Sequence, residues 1–184
     1  MFRLIDLFFA TLGLVVGAPI MVLIASVLYI YSGSPFFLQT RAGKNGKAFT
    51  LIKFRTMSIG TDSVATHLVS NSAVTPIGSF LRKYKFDELP QLWNVLVGDM
   101  SFVGPRPCLL TQLELVELRQ KNGIFAVKPG ITGLAQISGI DMSNPSLLVK
   151  TEVEMLKNYS LKNYFKFIFL TVAGKGFGDH VNSK

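Results

Sequence analysis

The chain has 184 residues, enough for one domain of ordinary size. Of these, 49% are apolar and 16% charged, and the mean hydropathy of +0.40 is high for a freely soluble protein. A net charge of +8 raises nucleic acid as a partner, but no nucleic-acid motif is visible and the basic residues accompany apolar faces, so no nucleic acid is expected.

The apolar excess lies at the start. From Leu7 to Tyr31 no charged residue occurs, which makes residues 1–34 a membrane-helix candidate. A cleaved signal has a shorter apolar region, and a fully apolar core helix of this length does not fit so small a domain. Pro19, near the middle, deletes a backbone hydrogen bond and predicts a break, with Gly13 and Gly17 loosening the same region. Arg3 lies before the segment and Arg41, Lys44, Lys47, Lys53 and Arg55 after it, so both flanks are basic. Positive flanks face the cytoplasm. A helix that breaks, dips in and returns keeps both flanks inside; a straight span is the alternative.

Residues 35–173 read as one domain following that segment and 174–184 as a frayed tail. Phe36–Leu38 and Phe49–Ile52 flank Gly43-Lys44-Asn45-Gly46, a hairpin pattern. Gly60 to Thr75, rich in Ser, Thr and Asn, reads as a loop. Helices are expected over 77–86, 90–97, 109–122 and 145–158, and an interfacial one over 160–173. Phe125–Val127 and Leu134–Ile137 are short strand candidates around the Pro129-Gly130 turn. In 77–85 and again in 161–172, apolar residues recur at helical spacing with lysines and arginines between them. Such stretches suit an anionic membrane surface or, on pattern alone, a core face. The fold class is thus helix-rich α+β, with an N-terminal membrane helix, a small β-hairpin and interfacial amphipathic helices. Cys108 is the lone cysteine, so no internal disulfide forms, as suits a cytoplasmic face. His67 and His180 stand outside any metal-ligand spacing.

The most informative run is Asp87-Glu88-Leu89-Pro90-Gln91-Leu92-Trp93-Asn94, continuing through Gly98-Asp99-Met100 to Gly104-Pro105-Arg106-Pro107. Pro90 suits a helix start and biases Leu89 away from helical angles, which puts the two carboxylates at or just before a helix N-terminus. Arg106, bracketed by prolines, offers a restrained bidentate fork for phosphate. Asp99 is a second acid nearby; a cap for the turn at Gly98 is its preferred reading over a metal ligand.

This block resembles the signature of the bacterial sugar transferases, the monotopic phosphoglycosyl transferases. Lys53-Phe54-Arg55-Thr56-Met57 resembles the upstream basic motif and Pro129-Gly130-Ile131-Thr132-Gly133-Leu134-Ala135-Gln136 the downstream turn, and the likeness extends to about Thr171. The resemblance implies a re-entrant helix anchored in one leaflet at the cytoplasmic face of a bacterial inner membrane. It implies sugar-1-phosphate transfer from a UDP-sugar to undecaprenyl phosphate with release of UMP, the first membrane step of a glycoconjugate or polysaccharide. Asp87 aligns with the nucleophile, which forms a phosphosugar-aspartate, and Glu88 with its neighbour, which serves the lipid phosphate. A carboxylate approaching a diphosphate calls for a cation, and Mg²⁺, with Asp87 as its ligand, is the expected cofactor.

Lys53, Arg55, Arg82, Arg106, Gln136 and Glu152 are the substrate-binding candidates, Lys53 and Arg82 foremost for phosphate; the alternatives are pairing with a carboxylate for Lys53, Arg55 and Arg82, a surface arginine for Arg106 and a turn-stabilising amide for Gln136. The likeness has departures. Ile140 stands where the family often has Arg, Glu152 and Met155 where it has Asp and Tyr, and Tyr164 at another usual Asp position. An N-acetylated amino sugar is the expected donor sugar, with glucose or galactose as the alternative. A non-catalytic membrane-tethered scaffold is the competing class. Membrane lipid is an expected partner, and a homodimer is left open.

Overall fold

A computed structural model describes residues 2–60 and 73–176. Helix α1 (Phe2–Ser32) is followed by the antiparallel hairpin β1 (Phe36–Ala42) and β2 (Ala48–Phe54), closed through a 3-10 turn at Lys44–Gly46. Then come α2 (Pro76–Lys83), α3 (Gln91–Val97), β3 (Ser101–Val103), α4 (Leu113–Lys121), β4 (Gly130–Thr132), α5 (Leu134–Ile137), α6 (Pro145–Lys157) and α7 (Leu161–Val172). The helix-rich α+β expectation holds, as do the hairpin and the five predicted helices.

The second sheet departs from expectation. Residues 124–126 form a 3-10 turn and Leu134–Ile137 is helical, so neither strand candidate is a strand. The strand lies in the Pro129-Gly130 turn itself: β4 pairs in parallel with β3, Ser101 opposite Gly130 and Val103 opposite Thr132. Pairs this short carry no alternation to read. What permits them is the lack of side chains, since a Cβ on Gly130 would lie 2.0 Å from the Gly104 nitrogen. The predicted loop over 60–75 is ordered at its end, where Val74 bridges Met57 and the Thr75 hydroxyl caps α2 by accepting from the Gly78 N–H at 3.0 Å. Most of that loop, His67, His180 and most of the tail lie outside the described residues.

Helix α1 is long and apolar enough to cross a membrane. It runs as one helix with Pro19 inside it, so the expected break does not divide it into two helical elements. A helix absorbs an internal proline when its remaining hydrogen bonds on either side hold.

Both of its ends pack on the rest of the chain. Toward the start, Ala10 is buried with Leu51, Val95 and Met100. Toward the end, Leu28, with Met21, Ile24 and Ala25 beside it, packs against Phe54 and Leu81. Between them Val15, Val16, Ala18, Pro19 and Ile20 are exposed.

The charge at the start of α1 is spent internally. Asp6 is buried; its Oδ1 accepts from the Ser101 hydroxyl at 3.0 Å, the Phe102 N–H at 3.1 Å and the Tyr164 hydroxyl at 2.6 Å, joining α1, β3 and α7. A buried carboxylate survives only with such donors around it. A separate apolar core lies between α4 and α6, built on Leu115, Ile124, Leu148 and Val149.

Candidate active site

The two carboxylates stand on a 3-10 turn, Phe86–Glu88, that leads directly into α3. Lys85 opens the turn in the left-handed region, φ +57°, and its carbonyl accepts the Glu88 N–H at 3.2 Å. Leu89 is helical, φ −53° and ψ −39°, contrary to the bias expected from Pro90. That bias is a modest steric preference, and here Leu89 packs against the Leu28, Phe54 and Leu81 cluster, which holds the chain in the turn. The expected placement of the acids just ahead of a helix therefore stands, through a different backbone path.

Two other elements frame the turn: α2 and β2 both pack against it. From β2, Lys53 reaches Glu88, Nζ to Oε1 2.9 Å, with each side chain 18% exposed. Asp87 is 7% exposed. From α2, Arg82 donates its Nε–H to the Thr56 hydroxyl at 2.9 Å, while its Nη1 is buried with no hydrogen-bond partner among the described residues. Thus the Lys53–Met57 motif reaches the acid pair through Lys53 on Glu88 and the neighbouring helix α2 through Thr56 on Arg82. A guanidinium nitrogen left without an acceptor in a buried setting is an unmet demand for an anion.

Asn94 completes the frame. Its amide donates to the Thr50 carbonyl at 2.7 Å and its Oδ1 accepts the Ile52 N–H at 3.1 Å, so α3 is fastened to the strand that carries Lys53. The sequence reading missed Asn94; its signal is an amide inside an otherwise apolar helix.

Arg106 sits in a loop whose carbonyls are held on both sides. Pro105 O accepts from Gly130 N at 2.9 Å, and Pro107 O accepts from Arg41 Nη1 at 3.1 Å. This fixes the backbone at Arg106 more firmly than the proline brackets alone.

Other candidates go elsewhere. Arg55 donates to Ser34 O at 3.1 Å, Ser34 Oγ at 3.2 Å and Phe36 O at 3.0 Å and lies over the Phe37 ring, so it secures the junction between α1 and β1. Glu152 is 1% exposed and paired with Arg119, Nε to Oε2 2.9 Å, inside the α4–α6 core. Burial pushes the Glu152 carboxyl up from its usual range, against the pull of Arg119. Gln136, on α5, has its Nε2 buried with no partner among the described residues. The Asp99 side chain makes no hydrogen bond among the described residues; the turn is closed instead by Asn94 O, which accepts the N–H groups of Gly98, Asp99 and Met100.

The departures from the family pattern find internal partners. Tyr164 bonds Asp6, and the Met155 sulfur accepts the Leu134 N–H at 3.3 Å.

Among the described residues no group of three or more His, Cys, Asp or Glu converges. Asp87 has one carboxylate beside it, Glu88, which is engaged with Lys53. That donor set fits Mg²⁺ held by one carboxylate plus substrate phosphates and water, and does not fit an all-protein cage.

Residues 1–176 match the family model described as bacterial sugar transferase. The chain is 42% identical over 171 residues to Uncharacterized sugar transferase EpsL of Bacillus subtilis (strain 168), covering 92% of this chain and 84% of that one. It is 41% identical over 187 residues to UDP-glucose:undecaprenyl-phosphate glucose-1-phosphate transferase of Escherichia coli (strain K12), covering 94% of this chain and 39% of that one. To UDP-galactose-lipid carrier transferase of Erwinia amylovora it is 35% identical over 171 residues, 84% of this chain and 36% of that one. It therefore spans most of the Bacillus protein and well under half of the other two. With a match that takes in the hairpin, the acid-pair turn and the Arg106 loop together, the chain belongs to the bacterial sugar transferase family.

Proposed function

We propose that this protein transfers a sugar-1-phosphate from a UDP-sugar to undecaprenyl phosphate, releasing UMP, at the cytoplasmic face of a bacterial inner membrane. The observation that carries the reading is the Lys53–Glu88 ion pair beside buried Asp87, with an only partly satisfied guanidinium, Arg82, on the helix packed against that turn. In this mechanism an Asp87 oxygen bonds to the sugar-bearing phosphorus as the bond to the bridging oxygen breaks, and UMP departs with that electron pair. The lipid phosphate oxygen then attacks the same phosphorus and the Asp87 carboxylate leaves. Two displacements replace one difficult exchange.

Arg82 and Arg106 bind the phosphate oxygens, and Lys53 holds Glu88 in place to position the lipid phosphate. Asp87 would hold Mg²⁺, which would supply neutralisation of the diphosphate charge. The names of the Escherichia and Erwinia relatives support a UDP-sugar and a lipid carrier. They also favour a second reading for the sugar, glucose or galactose, beside the N-acetylated amino sugar expected from the resemblance.

The contacts of α1 support a re-entrant anchor. Its two ends pack on the rest of the chain while the stretch around Pro19 is exposed, whereas a straight span would carry one end across the bilayer and away from those contacts.

The test is UMP release by the purified full chain in lipid, across a panel of UDP-sugars. Release that depends on both Mg²⁺ and polyprenyl phosphate is expected, with one sugar preferred. No release from any UDP-sugar rejects the transferase reading in favour of a scaffold.

A further inference from the structure

At the opposite end of α3 from the acid pair, positive charge is gathered without enough negative charge to balance it. Arg3 donates to the carbonyls of Val95 at 2.5 Å and Leu96 at 2.7 Å, two of the acceptors left open where α3 ends. Gly98 follows with φ +99°, and a Cβ there would lie 3.3 Å from Arg3 Nη2 and 3.3 Å from Lys128 Nζ. Two groups at that distance from one point are at most twice 3.3 Å apart, so guanidinium and ammonium are near neighbours.

Lys128 has no hydrogen bond or ion pair among the described residues. Burial pushes its pKa down, and Arg3 and Lys44 push it further, against Asp6 and Asp99. Asp6 is already committed to Ser101, Phe102 and Tyr164. That leaves Asp99 as the one open carboxylate among the groups acting on Lys128, facing three cations.

Like charges this close are stabilised by an anion between them. Donors for it are present: Arg3 has used part of its five N–H groups and Lys128 none of its three. The bare Cα of Gly98 keeps the space clear.

Exposed apolar side chains on the same two helices favour one kind of anion. Leu4, beside Arg3, is 72% exposed, Val97, beside Gly98, is 52% exposed, and Trp93, one turn back on α3, is 51% exposed. A free inorganic anion gains nothing from such neighbours. A lipid places its phosphate between the cations and its chains along the apolar side chains, with tryptophan at headgroup level.

We propose that Arg3, Lys128 and the open face of Gly98 form a binding site for the phosphate headgroup of an anionic bilayer phospholipid, at the far end of α3 from Asp87 and Glu88. The site fixes how the start of α1 sits at the membrane surface.

Trp93 is the sole tryptophan and serves as the probe. The full chain is reconstituted in phosphatidylcholine vesicles carrying a fixed fraction of brominated phosphatidylglycerol or brominated phosphatidylcholine, and Trp93 quenching is compared. Stronger quenching by the anionic lipid is expected. In Lys128→Gln that preference should fall about fivefold, the worth of one basic group at an anionic surface, and Lys128→Arg should restore it. Unchanged quenching by brominated phosphatidylcholine shows that the variants remain folded in the bilayer. Equal quenching by both lipids in the unmodified chain, or a preference that survives in Lys128→Gln, overturns the proposal. Loss of the preference on adding equimolar polyprenyl phosphate assigns the site to the acceptor lipid instead, and loss on adding inorganic phosphate assigns it to a free anion; either result overturns the phospholipid assignment.

Discussion

The Tyr164 hydroxyl donates to Asp6 at 2.6 Å across 158 positions of sequence, tying the last helix to the first. With Ser101 and Phe102 on the same oxygen, Asp6 joins α1 to the rest of the chain by hydrogen bonds, as Arg3 does at Val95 and Leu96. Tyr164→Phe removes one of three donors to a buried charge. It should lower stability by about 1.5–3 kcal/mol, read from denaturant or thermal unfolding in detergent. Catalysis per folded molecule should be unaffected, since the bond lies outside the acid-pair turn.

The same region predicts an alkaline limit. Burial pushes the Tyr159 phenol up from 10.0 to about 12, and burial together with Asp6 pushes Tyr164 up as well. A raised folded value means that the fold prefers the neutral phenol. This contribution is complete below pH 10, the unfolded value, and is lost as pH rises through about 12. Stability measured from pH 8 to 12 should therefore hold and then fall, and Tyr159→Phe should make the fall shallower. An identical profile in the variant would exclude Tyr159 as a source.

At the proposed site, Asp87→Asn should reduce UMP release to background, a loss of at least about 10³-fold, with unfolding behaviour unchanged. Glu88→Gln should spare the first displacement more than the second. Single-turnover UMP formation without lipid acceptor, followed by transfer on adding it, separates the two. Equal loss in both steps would make Glu88 a support for Asp87 rather than a group acting on the acceptor.

The Arg119–Glu152 pair is almost wholly shielded, with exposures of 2% and 1%. Arg119→Met strands a buried carboxylate and should cost about 3–5 kcal/mol, whereas the double change Arg119→Met with Glu152→Leu should recover most of that. Stability is the readout. A double variant with restored stability and normal UMP release shows that Glu152 serves the core and not the substrate.

Anchor topology is testable with single cysteines, because native Cys108 is fully buried. A cysteine placed ahead of Phe2 and, separately, Lys47→Cys should both react with an impermeant thiol reagent from the cytoplasmic side alone. Labelling of the N-terminal position from the opposite side would establish a straight span.

The parts of this fold that repeat were legible in the sequence. Helices α2, α3, α6 and α7 carry apolar spacing or a proline at the start, and the hairpin has two apolar runs around a glycine-bounded turn. The parallel pairing of β3 and β4 was not legible, because three-residue strands have no period and their contact depends on Gly104 and Gly130 approaching backbone to backbone. For the site, charge type and motif order pointed to Asp87, Glu88, Lys53 and Arg82. They could not separate those from Arg55 and Glu152, whose partners Ser34 and Arg119 are set by tertiary packing. Asp6 went unread since a single acid before an apolar stretch looks like a solvated flank until Ser101 and Tyr164 are brought to it.

The docking of both ends of α1 bears on how such a protein is made. Deleting the helix strips cover from Phe54 and Leu81 at one end and takes the acceptor from the Ser101 and Tyr164 hydroxyls at the other. The catalytic domain is therefore not a water-soluble module hung on an interchangeable tether. Its folding has to finish together with α1, and a version truncated of that helix should emerge from the ribosome as a substrate for chaperones and proteases.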